Sequence, residues 1–190
     1  MLALVQGSNR RDNLTRPVID LLADRLRGAG REVEVVDLVE LSGDLLHPGM
    51  YEEGIDHDWL AAAETTLKRA DGWLLAFPEY NGSFPGALKL FFDALSVRDY
   101  SGLFKGRVAA LVGTASGRSG NVKGMEHLSS VLQYVGVTVM PTAQPVSLIE
   151  TLLSDDRRRV VAPETVTLLH AYADRFGRYV EAFNASAAAA

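Results

Sequence analysis

Short, mostly apolar runs alternate along the chain with longer segments in which apolar residues recur every three or four positions. A short run that is apolar almost throughout is typical of a strand in a sheet whose two faces are both covered. Five runs of this kind predict strands, at residues 2–5, 33–36, 72–77, 108–112 and 135–140. We therefore expect a buried sheet rather than one with a solvent-exposed face.

The segments between these runs predict amphipathic helices, because their apolar residues fall on one face of a helix with 3.6 residues per turn. The helices are predicted near residues 14–26, 60–70, 88–95, 128–135 and 163–183. Strands that alternate with helices form a parallel sheet with right-handed crossovers. Five strands and five helices fit an α/β fold in three layers, a flavodoxin-like doubly wound sheet with strand order 2-1-3-4-5.

Two connections are long for this scheme, residues 42–58 and residues 142–156, and the second ends in a charged turn at residues 155–159. Long connections in compact domains are often lids or partner contacts, and an irregular surface loop is an equally good interpretation. No internal repeat or linker is visible. We expect one domain at residues 1–183, followed by an alanine-rich tail at residues 184–190 that is either a fraying helix end or disordered.

Composition and charge narrow the possible functions. The 190 residues carry a net charge of −5 and no basic stripe, which argues against a nucleic-acid partner. No apolar run approaches the ~20 residues of a membrane helix. The absence of cysteine excludes disulfides, thiolate metal sites and cysteine nucleophiles, and it suits a reducing cytoplasm, which is the expected location.

The loop after the first strand is a candidate anion site, because open α/β sheets bind ligands at the carboxyl ends of their strands. Gly7 permits a tight turn, Ser8, Asn13 and Thr15 offer short polar side chains, and Arg10 offers a planar fork that matches phosphate oxygens. The following helix start adds free N–H groups. A plain helix cap at Asn13 or Thr15 explains the loop equally well. The loop is neither a G-x-G-x-x-G fingerprint nor a P-loop.

The loop after the third strand, residues 77–89, holds a flat aromatic side chain, an amide and two glycines before a helix start. Such a loop can lie along a planar heterocycle. A turn that binds no ligand would explain the Asn81-Gly82 pair equally well.

Together these two loops resemble those of the NAD(P)H-dependent FMN reductases, flavodoxin-like proteins related to quinone, azo-dye and chromate reductases. The family pattern is G-S-x-R after the first strand and P-E-Y-N-x-S-x-P-G-x-L-K-x-x-x-D after the third. This chain has Gly7-Ser8-Asn9-Arg10 in the first loop, and residues 78–89 with Asp93 match the second pattern. The second motif is long and specific, and the resemblance extends to about residue 140.

The resemblance implies FMN as a non-covalently bound cofactor and NADPH or NADH as the co-substrate. It implies contacts at the tips of three strands. The implied residues are Ser8, Arg10, Asn13, Leu14 and Thr15 for the phosphate, Pro78, Glu79, Tyr80, Asn81, Gly82 and Ser83 for the flavin ring, and Thr114, Ser116, Gly117 and Arg118 for its other side. A flexible surface loop is the alternative for the last group, and a solvated side chain is the alternative for Arg118.

The implied reaction passes a hydride from NAD(P)H to the flavin N5 and then electrons to a small acceptor, such as a quinone, a free flavin or another electrophile. No side chain need act as a nucleophile, so no catalytic residue is assigned. Backbone N–H groups near residues 81–83 and 116–118 would stabilise negative charge on the reduced ring. Members of such families are often oligomers, so the resemblance also implies a homodimer or homotetramer.

The chain departs from the family pattern at two places. Asn13-Leu14-Thr15 stands where the family often has S-x-N, so the same donors occur in swapped order. Leu90 and Ala94 stand where the family often has asparagine and tryptophan. The second departure removes an aromatic side chain near a site that some relatives use for substrate or dimer contacts.

Other functions remain open from the sequence. A flavodoxin-like electron carrier or redox sensor would bind FMN without using NAD(P)H. A hydrolase would need the serine of a G-x-S-x-G elbow, and Ser116 lies one place too late in residues 113–117. His47 and His57 flank an acidic stretch, but their spacing fits no standard metal-ligand pattern, and no metal is expected.

Overall fold

One parallel sheet forms the centre of the protein, as seen in a computed structural model that describes residues 1–51 and 55–188. Its order is β2-β1-β3-β4, with β5 and β6 both paired to the outer edge of β4. The strands are β1 (Leu2–Gln6), β2 (Val33–Asp37), β3 (Trp73–Pro78), β4 (Val108–Thr114), β5 (Thr138–Val139) and β6 (Gln144–Val146). The predicted flavodoxin-like α/β fold with order 2-1-3-4-5 is confirmed.

Helices cover both faces of this sheet. Two of them pack on one face and three on the other, which gives the three predicted layers. On the first face lie α1 (Arg16–Gly28) and α5 (Pro163–Ala188), and on the second lie α2 (Asp58–Arg69), α3 (Gly86–Phe104) and α4 (Val122–Tyr134). Residues 184–188 of the alanine-rich tail belong to α5. No helix of the described ranges is both long and apolar enough to cross a membrane.

The central strands β1, β3 and β4 are almost entirely apolar because each of their faces meets a helical layer. In β1, Leu2 and Leu4 pack under α1 and α5, whereas Ala3 and Val5 face the opposite layer. Trp73 at the start of β3 is fully buried, and its indole N–H donates to the carbonyl of Leu67. Alternate residues therefore supply two separate hydrophobic cores.

The fifth strand differs from the prediction of one strand at residues 135–140. Helix α4 extends to Tyr134, and Gly136 turns the chain with a φ of 94°. The edge position is then shared by β5 and β6, which pair with the two ends of β4. Between them, the Leu111 backbone has no strand partner on this edge of β4. The hydroxyl of Tyr172 on α5 fills this gap, because it accepts from the Leu111 N–H at 3.1 Å and donates to the Leu111 carbonyl at 2.8 Å.

Both long connections contain ordered structure. The first includes short 3-10 turns at Gly43–Leu45 and Pro48–Tyr51, and it buries the side chains of Leu45 and Met50. It is thus part of the core where the sequence indicated a polar loop. The second carries β6 and a 3-10 turn at Ile149–Leu152.

Candidate functional site

A cavity of about 280 Å³ opens at the carboxyl ends of β1, β3 and β4, where the strand order reverses. Many of the predicted site residues line it, and so do residues that the sequence did not indicate. The predicted residues are Arg10, Asn13, Leu14, Thr15, Pro78, Glu79, Tyr80, Thr114 and Ser116. The others are Asp12, Ala115, Ile149, Glu150 and Arg157.

The remaining predicted residues lie outside the lining of this cavity. We number each loop by the strand that it follows, so that the first, third and fourth loops follow β1, β3 and β4. Ser8 is fully buried in the first loop, and Gly117 and Arg118 lie exposed in the fourth. Residues 81–83 form a turn beyond Tyr80. The cavity is therefore lined by the first loop and by the residues that begin the third and fourth loops.

Gln6 fixes the first loop from inside the sheet, a role that the sequence analysis missed. Its buried side chain accepts from the Ser8 N–H at 2.7 Å and donates to the Ser8 carbonyl at 2.8 Å. The same amide donates to Asp37, which also receives a hydrogen bond from Arg16. The sequence does hold a signal for this role, because Gln6 is a polar residue at the end of an otherwise apolar strand.

Ser8 joins the first loop to the third. Its hydroxyl lies 2.7 Å from the hydroxyl of Tyr80 and accepts from the Arg10 N–H at 3.3 Å. The Ser8 side chain therefore already has protein partners, and it holds the tyrosine against the loop.

Asn13 is the residue that caps α1. Its side-chain oxygen accepts from the Arg16 N–H at 2.9 Å, and its amide donates to the carbonyl of Arg10. Thr15 occupies the N-cap position without a side-chain cap, and its hydroxyl instead lies 2.9 Å from that of Thr114. The backbone N–H groups of Asn13, Leu14 and Thr15 meet no protein acceptor within the described ranges.

Free N–H groups at a helix start are typical of sites that bind phosphate in proteins. The exposed guanidinium of Arg10 lies in the same loop and donates to both carboxylate oxygens of Asp12, at 3.2 and 3.0 Å. Hydrogen bonding from Arg10 lowers the pKa of Asp12, and the same contact raises the pKa of Arg10. Asp12 is thus ionised and competes for the cation that a phosphate would use.

The third loop makes a two-residue turn at Asn81 and Gly82, which have φ angles of 53° and 78°. Tyr80 and Ser83 exchange backbone hydrogen bonds across it, as expected for an Asn-Gly turn. The Ser83 N–H is therefore used inside the turn. The Ser83 hydroxyl lies 2.9 Å from Nδ1 of His127 on α4.

The fourth loop is tied to its neighbours by hydroxyl–carboxylate pairs. Ser116 donates to Glu150 at 2.7 Å, and Ser119 donates to Glu79 at 2.8 Å. Asn121, fully buried at the start of α4, donates to the carbonyl of Phe77 at the end of β3. These contacts set the third and fourth loops at a fixed spacing on either side of the cavity.

Comparison with known families agrees with this arrangement. The family model described as NADPH-dependent FMN reductase matches residues 1–148, from β1 through β6. The chain belongs to the NADPH-dependent FMN reductase family. Membership makes it an oxidoreductase that uses FMN as cofactor and NAD(P)H as co-substrate, as the resemblance implied.

Among relatives of this FMN reductase, a 2-hydroxy-1,4-benzoquinone reductase from a Burkholderia species is 27% identical over 182 residues, covering 94% of this chain and 95% of the relative. An NADPH azoreductase from Bacillus sp. (strain OY1-2) is 28% identical over 140 residues and covers 74% of this chain and 72% of the relative. These relatives reduce small molecules according to their names.

Solved structures confirm the fold. A flavoenzyme NAD(P)H:(acceptor) oxidoreductase from Paracoccus denitrificans superposes with a TM-score of 0.77 at 24% identity, covering 96% of this chain and 97% of the other. An archaeal flavodoxin superposes with a TM-score of 0.63 at 13% identity, covering 95% and 99%.

The residues of the FMN reductase site fit this cofactor. A phosphate monoester needs several donors and positive charge, which the N–H groups of residues 13–15 and the Arg10 guanidinium supply. A flat ring system needs extended backbone and apolar surface, which Pro78 and the Tyr80 turn supply beside Ala115. No group of three metal-binding side chains occurs in the part of the chain that the structure describes, and Glu52 and Glu53, from the acidic stretch between His47 and His57, lie outside that part.

Proposed function

We propose that this chain oxidises NAD(P)H by hydride transfer to bound FMN and passes the electrons to a quinone, a flavin or another small electrophile. The observation that carries the proposal is the cavity at the strand-order reversal, where Arg10 and the free N–H groups of residues 13–15 face Tyr80 and Thr114. When bound, FMN supplies a ring that takes up two electrons and releases them to a second substrate.

The three loops bind different parts of the cofactor. The first loop binds the phosphate. The two hydrogen bonds between the Gln6 side chain and the Ser8 backbone keep this loop in one conformation, so that little conformational entropy is lost on binding. The Ser8–Tyr80 contact sets the distance from the phosphate end to the third loop. The chain thereby orients the cofactor lengthwise along the strand ends.

Free backbone N–H groups support a ring-binding role for the loops after β3 and β4. The N–H groups of Asn81 and Gly82, and those of residues 116–118, point to no protein acceptor among the described residues. Preorganised N–H donors stabilise negative charge that develops on a substrate or cofactor. The carboxylates of Glu79 and Glu150 line the cavity, but each already accepts a hydrogen bond, from Ser119 and Ser116 respectively.

An anaerobic titration tests this proposal. The protein should bind FMN, and addition of NADPH or NADH should then bleach the visible absorbance of the bound flavin, with reoxidation when a quinone is added. Free FMN with the same nucleotide, without protein, is the control. Bound FMN that neither nucleotide bleaches would identify an electron carrier or redox sensor instead, and a protein that binds no FMN would contradict the proposal altogether.

Replacing Asp12 by Asn should strengthen FMN binding by about two- to fivefold, the scale of one exposed ion pair. The change frees Arg10 from its carboxylate partner and removes a negative charge from the edge of the phosphate site. The dissociation constant is measured by quenching of flavin fluorescence. Asp24→Asn on α1 is the matched control, because it removes the same charge outside the cavity lining. An equal gain in both variants would show a general charge effect and reject a local one.

A further inference from the structure

The charged turn at residues 154–159 approaches the cavity from the part of the chain beyond the family match. Leu153 and Val160 pair as an antiparallel bridge at its base, and both side chains are buried under α5 and β4. The turn is therefore anchored to the core at both of its ends.

Internal hydrogen bonds hold the turn in one conformation. The Ser154 N–H donates to the Arg159 carbonyl at 2.9 Å, and the Arg157 N–H donates to the Ser154 carbonyl at 2.7 Å. The Ser154 hydroxyl donates to Asp156 at 2.6 Å, and Asp156 in turn accepts from the Arg158 N–H. Side chains on this turn consequently have defined positions relative to the first loop.

Arg157 is the residue of this turn that reaches the cavity. Its side chain shares the cavity lining with Arg10, Asn13 and Thr15. It also borders the adjoining groove that runs beside the first loop. Arg157 forms no ion pair with any carboxylate of residues 1–51 and 55–188.

Arg10 alone does not balance the negative charge of a phosphate at this end of the cavity. Arg10 and Asp12 cancel each other, and a phosphate monoester carries about −1.5 to −2 charges near neutral pH. Arg157 lies close enough to contribute to the lowered pKa of Asp12, after the larger contribution from Arg10. Its guanidinium therefore acts on the same region of space as the first loop.

We infer that Arg157 is a second guanidinium for the phosphate of the flavin cofactor, so that the 154–159 turn and the first loop bind that phosphate from two sides. The inference rests on the proposed function, because it needs a phosphorylated flavin in the cavity. It assigns a binding role to a segment beyond residue 148, where the family match ends. Phosphorylated and unphosphorylated flavins should therefore differ in how they depend on this residue.

Comparison of FMN with riboflavin isolates the phosphate. In Arg157→Ala, the dissociation constant of FMN should rise about ten- to thirtyfold, the lower part of the range for a lost charged hydrogen bond, whereas that of riboflavin should change by less than about twofold. Unchanged riboflavin binding also shows that the variant is folded. Arg157→Lys should recover part of the affinity, since it keeps the charge but not the fork.

Arg159→Ala is the matched control, because it removes the same charge from the same turn but lines neither the cavity nor the groove. Equal FMN affinity in the Arg157→Ala and Arg159→Ala variants would overturn the inference while leaving the proposed function intact. Equal losses for FMN and riboflavin would overturn it too, since they would indicate a packing role. A wild-type protein that binds no FMN would overturn both.

Discussion

Replacing Tyr172 by Phe should lower the free energy of unfolding by about 2–4 kcal/mol, because it strands two buried backbone groups that each lose a partner. The Tyr172 side chain is 1% exposed, and its hydroxyl is the partner of both the N–H and the carbonyl of Leu111. Burial raises the pKa of Tyr172, so the hydroxyl stays protonated and can both donate and accept. Urea unfolding measures the loss.

Tyr179→Phe provides the comparison for this prediction. Tyr179 lies on the same helix, packs against the same core, and its hydroxyl makes no hydrogen bond within the described ranges. The same change there should cost much less. Similar losses in the two variants would mean that water or backbone adjustment satisfies Leu111 without the tyrosine, and that the gap in the fifth strand does not depend on α5.

The position of this hydroxyl also shows where sequence reasoning stops. The apolar runs predicted β1 to β4, part of the fifth strand and the strand order, because burial on both faces leaves a local pattern, but they did not predict β6. The interruption between β5 and β6 depends on a contact 61 residues away in the sequence, between Leu111 and Tyr172. A pattern read over a few neighbouring residues holds no information about such a contact.

The candidate site was likewise predicted from the sequence only in part. The tips at residues 10–15 and 78–80 were predicted, since the carboxyl ends of neighbouring parallel strands meet at one edge. Glu150 and Arg157 were missed because they follow the last strand. Backbone hydrogen bonds from Leu148 and Ile149 to the fourth loop bring Glu150 to the cavity, and the burial of Leu153 and Val160 anchors the turn that carries Arg157. Its charged sequence was visible, but its place in the fold was not.

Ser8 is a subtler case. The family resemblance implies that Ser8 contacts the phosphate directly. The structure gives its hydroxyl two protein partners, in Tyr80 and the Arg10 N–H. We propose that Ser8 couples the two loops, so that a change at either loop alters the position of the other.

Replacing Arg10 by Ala should weaken FMN binding by about ten- to a hundredfold, the loss expected when a phosphate loses a bidentate, charge-assisted partner. The variant also leaves the Asp12 carboxylate unopposed at the phosphate end, which adds repulsion to the lost attraction. Riboflavin binding should change little. Fluorescence titration of both flavins at one salt concentration measures the difference, with Arg11→Ala as control because Arg11 lies outside the cavity lining.

The double variant Arg10→Ala with Asp12→Asn separates these two effects. If repulsion from Asp12 contributes, the double variant should bind FMN more tightly than Arg10→Ala alone, and the two changes should not be additive. Full additivity would mean that Asp12 acts only through general charge. Unchanged FMN affinity in Arg10→Ala would contradict the prediction and place the phosphate away from Arg10, the residue through which this loop brings positive charge to the cavity.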